Sequence, residues 1–247
     1  MRLFQLSIIS LLALILFGCG NPKDDENTLI VGTSADNPPY EYMKSNQIVG
    51  LDIEVIEEIA KHLGKKVKIE NLDFNGLLAA LSSDRVDLVI AGLSVTPERQ
   101  AMVDFSDPYT SGSIAVLYRA NDNFKDVTNL GNKVVGAQLG TIWSQFAQSV
   151  SIKHNAKVIT LATNIALVEE LKSKAVDAVI LEQQQAINFM ENNSELASFV
   201  IKSLTSDFAI ALPKHSPLKV NIDGAIKALK EDGTIDKIMV KWLKGEF

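Results

Sequence analysis

The sequence predicts a two-lobed α/β fold, each lobe a parallel-rich sheet flanked by helices. Three observations carry that prediction. Residues 28–91 alternate apolar strand runs with helical stripes in the order βαβαβ, which requires parallel strands joined by right-handed crossovers. The same order recurs over residues 133–180. The third strand also repeats its pattern, Arg85-Val86-Asp87-Leu88-Val89-Ile90 against Ala175-Val176-Asp177-Ala178-Val179-Ile180.

In the first series, Thr28-Leu29-Ile30-Val31-Gly32-Thr33 reads as a strand. Gly50 to Leu63 has apolar residues at 51, 55, 56, 59 and 63, a helical stripe, with Gly64 just past its end where helices stop. Val67-Lys68-Ile69 alternates as a strand, Asn75 to Ser82 reads as a helix, and Val86 to Ala91 is a buried strand. In the second series the strands are Lys133 to Gly136, Lys157 to Ile159 and Val176 to Ile180; the helices are Thr141 to Val150 and Asn164 to Lys172. Phe208 to Leu212 then reads as a strand, followed by helices over Leu218–Leu229 and Ile235–Lys244 with a turn at Asp232-Gly233. This tail either extends the second lobe or returns to the first. A return gives two crossings, near Tyr118–Asn121 and Ser203–Asp207, and two short crossings make a hinge beside a cleft.

Met1-Arg2 followed by the apolar run Leu3–Phe17 is a secretory signal, shorter than the ~20 residues a bilayer requires. It ends at Gly18-Cys19-Gly20, and Cys19 is the sole cysteine, so the chain can form no internal disulfide. The formal charge is −6, or −7 once residues 1–18 and Arg2 are gone. With no basic tract, the composition argues against nucleic acid. The remaining chain is long enough for one large or two small domains.

Ligands of open parallel sheets sit beyond the carboxyl ends of the strands. Those ends carry Ser34, Asp36, Asn37 and Tyr40; Phe74; Gly92, Ser94 and Arg99; Gln138 and Thr141; and Glu182. Thr96-Pro97 opens a helix as cap and first residue, which places backbone N–H groups and the forked Arg99 guanidinium together. Arg99, Ser94 and the helix start at Gly140-Thr141 suit a carboxylate, and Glu182 suits an ammonium. A small zwitterion held in a closed cleft needs both charges met. Tyr40 and Phe74 are candidate walls; Ser34, Asp36, Asn37 and Gln138 are candidate selectivity residues. The bland readings are a surface pair of Arg99 with Asp104 or Asp107, a solvated helix-start acid at Glu182, and Phe74 as core. His62, His154 and His215 are scattered, and there is no HExxH, Gly-rich phosphate loop or nucleophile elbow, so no metal, cofactor or catalytic set is expected.

Three segments resemble the bacterial periplasmic solute-binding proteins, family 3, the polar amino-acid-binding components of ABC importers. They are Asn37-Pro38-Pro39-Tyr40-Glu41-Tyr42, Gly50-Leu51-Asp52-Ile53-Glu54-Val55, and Gly92 to Arg99 followed by Val103-Asp104-Phe105-Ser106-Asp107-Pro108-Tyr109. Val135 to Thr141 and Asp232-Gly233-Thr234 match more weakly. The resemblance implies the type II periplasmic-binding-protein fold, a tail that returns to lobe one, and Arg99 on the ligand carboxylate assisted by Ser94 and Thr141. It implies the division 1–18 signal peptide, 19–27 lipidated cysteine and tether, 28–118 with 206–247 lobe one, and 119–205 lobe two. The segment ending in Cys19 resembles the lipoprotein cleavage box, implying a lipid anchor and a periplasmic or cell-surface location. An amino-acid ligand, an ABC permease in the cytoplasmic membrane and a monomeric receptor are the implied partners and state. The family usually has Asp at the position of Glu182, often an aromatic near Asn37, and often an acid at the position of Ser34 in binders of cationic amino acids; here Asp36 is close by instead. The alternative is a cyclohexadienyl (prephenate-type) dehydratase on the same fold, using Glu182 as its acid or base.

Overall fold

The computed structural model describes residues 27–243; the expected signal segment, Cys19 and nearly all of the expected tether lie outside them. In chain order the strands and helices are β1 (Thr28–Thr33), β2 (Asp36–Asn37), β3 (Glu41–Lys44), β4 (Gln47–Val49), α1 (Leu51–His62), β5 (Lys66–Asn71), α2 (Leu77–Ser82), β6 (Leu88–Val89), α3 (Pro97–Met102), β7 (Asp104–Phe105), β8 (Thr110–Arg119), β9 (Val134–Gln138), α4 (Ile142–His154), β10 (Lys157–Leu161), α5 (Asn164–Lys172), β11 (Ala178–Glu182), α6 (Gln183–Asn192), β12 (Leu196–Phe208), β13 (Ala211–Leu212), α7 (Leu218–Glu231) and α8 (Thr234–Leu243).

Two five-stranded sheets form, in the orders β5-β1-β6-β13-β7 and β10-β9-β11-β8-β12. In each, the first three strands are parallel and come from one βαβαβ series, so the repeat read from the sequence is a repeat of architecture. Its Val-Asp pattern does the same work twice. The Asp87 carboxylate accepts from the Ile30 N–H (2.8 Å), and the Asp177 carboxylate accepts from the Val134 N–H (2.9 Å). Each aspartate also donates its own N–H to the carbonyl of that same residue (2.8 and 2.7 Å). The acid therefore completes the ladder at the head of the third strand, where the neighbouring strand's amide would otherwise lack a partner in the sheet.

Strand β6 is shorter than the run 86–91, but Asp87 and Ile90 still donate to β1 carbonyls, so the ladder spans most of it. Two long strands fall where periodicity marks no element. β8 and β12 pair antiparallel, with a register shift between Ile201 and Thr205, and both belong to the second sheet. Tyr118–Asn121 accordingly lies at the far end of β8 and in the turn beyond it, and the chain passes between sheets before Thr110 and after Phe208. After β12 the tail returns to the first sheet: β13 pairs with β6 and β7, and the buried faces of α7 and α8 join the core beside α1. The meander β2-β3-β4 leads from the end of β1 into α1.

Candidate ligand-binding cleft

The carboxyl ends of β1, β6, β9 and β11 meet at a cleft between the two sheets, lined among others by Asp36, Asn37, Phe74, Gly92, Ser94, Arg99, Gln138, Thr141 and Glu182. The α-helices α3, α4, α5 and α6 that start there each have the first turn capped by a side chain. Thr96 accepts from the Arg99 N–H, Thr141 from Ser144, Thr163 from Ala166 and Glu182 from Gln185. These caps fix the turns from which the cleft side chains project.

Arg99 is only 8 % exposed, and among the described residues no carboxylate forms an ion pair with it. Asp104 is taken by Lys214 (3.0 Å) and the His215 N–H (2.7 Å). The guanidinium donates instead to two carbonyls, Ser94 in its own lobe (2.7 Å) and Gly140 across the cleft (3.0 Å). Its central carbon lies 5.6 Å from the centre of the Phe74 ring. Desolvation lowers its pKa to about 10, so it stays charged at neutral pH. A buried cation of this kind, with five donors and carbonyl partners alone, has the chemistry to take an anion.

Glu182 supplies the opposite charge. It is 3 % exposed, caps α6 through the Gln185 N–H (3.0 Å), and faces the Tyr40 hydroxyl without a hydrogen bond of good geometry. Burial pushes its pKa up to about 7, against the amides of Gln185, Gln184 and Ser113, which hold it down. An arriving ammonium would restore its charge.

Asp36 joins the lobes. Its carboxylate accepts from Ser34 Oγ (3.0 Å) and from Gln138 Nε2 across the cleft (3.0 Å), and its carbonyl accepts from Gln185 Nε2 (3.2 Å). Burial is the largest influence on its pKa and raises it. Behind the cleft, Asp52 accepts from the Gly92 N–H (2.6 Å) and the Tyr109 hydroxyl (2.8 Å), while Glu41 accepts from Asn37 Nδ2 (3.0 Å). Glu41 Oε2 and Asp52 Oδ1 are buried and lack donors. Burial and the neighbouring Asp52 raise Glu41 well above the carboxylate range, and burial brings Asp52 to about 6. Gly92 has φ +53, a left-handed backbone at which a side chain is strained, and Asn37 Nδ2 is 3.1 Å from where its Cβ would be.

Of the sequence-predicted residues, two sit elsewhere than the cleft wall. Tyr40 is fully buried, edge-on to Phe208 with ring centres 5.5 Å apart, and Phe208 takes the place at the wall. Ser34 reaches the cleft only through Asp36. The Thr141 hydroxyl is committed to the Gln138 carbonyl (2.6 Å) as well as to its helix. Trp143 packs in the core and also lines the cleft. The residues missed are Phe208, Asn164 and Gln185. Asn164 follows the second strand of lobe two as Phe74 follows that of lobe one, so the strand-end rule reaches it; Gln185 is the first residue beyond Glu182-Gln183-Gln184. Among the described residues no group of three or more His, Cys, Asp or Glu could hold a metal, and no helix is long and apolar enough to cross a membrane.

Two similar lobes closing on a charged cleft define a solute-binding protein of the amino-acid-binding type, and solved structures bear out that architecture. An ancestral arginine-binding protein bound to arginine superposes with TM-score 0.82 at 37 % identity, covering 87 % of this chain and 98 % of the other. An ancestral amino-acid-binding protein described as a precursor of cyclohexadienyl dehydratase gives TM-score 0.81 at 32 % identity over 88 % of this chain and 96 % of its own. The arginine-binding extracellular protein ArtP of Bacillus subtilis (strain 168) is 34 % identical over 98 % of this chain and 97 % of its own length. A probable histidine-binding protein of Campylobacter jejuni is 29 % identical over 95 % and 96 %. Residues 29–245 match the bacterial extracellular solute-binding proteins, family 3, and the chain belongs to that family.

Proposed function

We propose that this chain is the extracytoplasmic receptor of an ABC amino-acid importer and that its ligand is a cationic L-amino acid, with L-arginine first among the candidates. The ligand carboxylate lies on Arg99, Ser94 and the turn before Thr141, and its ammonium on Glu182. Its side chain runs along Phe74 towards Asp36. The two lobes, one about each sheet, close on it; β8 and β12 run in the second sheet, so the crossings lie before Thr110 and after Phe208 rather than at 118/119 and 205/206, and the closed state gains affinity from contacts that exist only there.

The observation that carries this reading is the charge count of the cleft. Its lining holds one cation, Arg99, and two acids, Asp36 and Glu182. A neutral zwitterion satisfies Arg99 and Glu182 and leaves the half-buried Asp36 carboxylate with its hydrogen bonds from Ser34 and Gln138 but no counter-charge; a cationic side chain supplies one. The names of the arginine- and histidine-binding relatives agree with that class. Cys19 is the proposed lipid anchor, holding a monomeric receptor at the periplasmic or outer face of a membrane near its permease. The chain acts as a binder rather than an enzyme, in keeping with the amino-acid-binding names of its relatives.

The test is calorimetric titration of the refolded chain, stripped of carried-over ligand, with each common L-amino acid and with prephenate. One-site binding of arginine, with lysine or histidine behind it, is the expected result. Binding restricted to neutral or acidic amino acids would overturn the ligand class, and turnover of prephenate would overturn the binding role.

A further inference from the structure

Asn164 is the first residue of α5, 2 % exposed, and it lines the cleft. Its Nδ2 donates to Gln138 Oε1 (3.2 Å) and to Gln185 Oε1 (2.6 Å). Both glutamines then turn their Nε2 groups to Asp36, Gln138 to the carboxylate (3.0 Å) and Gln185 to the main-chain carbonyl (3.2 Å). The direction of every bond in this network is set at one end. Asp36 presents only acceptors, so both glutamines present nitrogen to it and oxygen to Asn164. Asn164 must answer two oxygens with its nitrogen. Turning its amide over would set oxygen against oxygen twice, so the orientation is fixed by chemistry. What remains is Oδ1, buried and without a hydrogen-bond partner.

We propose that Asn164 is a selectivity residue of the receptor: its Oδ1 accepts an N–H from the ligand side chain, while its Nδ2 holds the two glutamines of lobe two against Asp36 of lobe one. A buried amide oxygen left unpaired is costly, and a ligand donor removes that cost. The class of ligand this selects carries N–H on its side chain, as guanidinium, ammonium, imidazole or carboxamide, and an alkyl or carboxylate side chain is rejected. The free oxygen and Asp36 belong to one network, so donor recognition and lobe closure are coupled: the ligand that satisfies Asn164 also finds the cross-lobe bonds in place. This inference rests on the amino-acid-receptor reading and adds to it the residue that reads the side chain.

The experiment compares L-arginine with L-norvaline, which has a propyl side chain and no N–H, by calorimetry on the full chain and on Asn164→Ala. Wild type should prefer arginine strongly. In the alanine variant arginine should weaken about tenfold to a hundredfold, the range for a hydrogen bond to a charged donor, with norvaline nearly unchanged, so that the preference shrinks. Equal weakening of both ligands would mean that Asn164 only holds the fold, and unchanged affinities would mean that it does neither; both outcomes overturn the proposal. Asn164→Ser, smaller and still polar, serves if the alanine variant does not fold, with the same expected loss of preference. Absence of arginine and norvaline binding in wild type, with every other amino acid silent too, would instead refute the receptor reading.

Discussion

Replacing Glu182 by Gln isolates the ammonium site. The amide keeps the volume, and its oxygen can still cap α6 by accepting from the Gln185 N–H, as Oε2 does at 3.0 Å. What is lost is a buried charge opposite the ligand ammonium. Truncating one partner of such a pair costs about 2–5 kcal/mol, and because the Gln oxygen can still accept from the ammonium, the lower end applies, roughly thirtyfold in Kd. Burial holds the wild-type carboxyl at about 7, so in the empty receptor it is half-ionised near neutrality. Binding an ammonium requires the ionised form. Affinity is therefore full above pH 7 and falls as pH drops through it, by about tenfold per unit. Titration of wild type and Glu182→Gln with L-arginine between pH 5.5 and 8 should give a sloping line for the first and a much flatter one for the second. Any slope left near pH 6 belongs to Asp52, which burial brings to about 6. Equal affinities at pH 8, or parallel slopes, would refute the assignment of Glu182 to the ammonium.

Arg99→Ala should weaken arginine by a hundredfold or more, since the buried guanidinium has only the Ser94 and Gly140 carbonyls besides the ligand; calorimetry reads it, and wild-type affinity would displace the carboxylate site. Gly140→Ala should impede closure, because at φ +80 a side chain is strained and its Cβ would lie 3.3 Å from Asn75 Cα and Cβ; small-angle scattering should show less contraction with ligand than wild type, and full contraction would contradict this. The stability of the empty protein should run opposite to its affinity. The Glu182 pKa is raised from 4.5 to about 7, so its contribution is full below 4.5 and is lost as pH rises through 7, about 3 kcal/mol in all; chemical denaturation between pH 5 and 8 should show the decline, and Glu182→Gln should reduce it. Phe208→Ala should cost about 3–5 kcal/mol of stability, since the ring is fully buried against Tyr40 and forms part of the cleft wall.

The two βαβαβ series were legible because each is built from local patterns: buried apolar strands, helical stripes, Thr caps and a glycine past the helix end. The duplicated Val-Asp was legible as a repeat, and the structure supplies its reason in the paired bonds of Asp87 and Asp177. β8 and β12 were not legible. Their pairing joins residues from Arg119 with Leu196 to Thr110 with Phe208, roughly eighty to a hundred positions apart, and no local spacing encodes a partner that distant. The strands β2 to β4 are two to four residues long, too short to show a period, and pair only with one another. At the site, charge and strand-end position pointed to Arg99, Glu182 and Asp36. Tyr40 was misplaced because an aromatic in a strand-end loop gives no sign of the neighbour that covers it, and that neighbour, Phe208, comes from the far end of the chain. Asn164 was hidden by its type: its role depends on two glutamines whose orientation is set by an aspartate in the other lobe.

The central claim is that the cleft grips both charged ends of one amino acid. Calorimetry with L-arginine, with agmatine, which lacks the carboxylate, and with Nα-acetyl-L-arginine, which lacks the ammonium, tests it most directly. Binding of L-arginine together with loss of most affinity for each of the other two is the result expected from Arg99 and Glu182. Agmatine or the acetyl derivative binding as tightly as arginine would contradict the assignment of that end of the ligand.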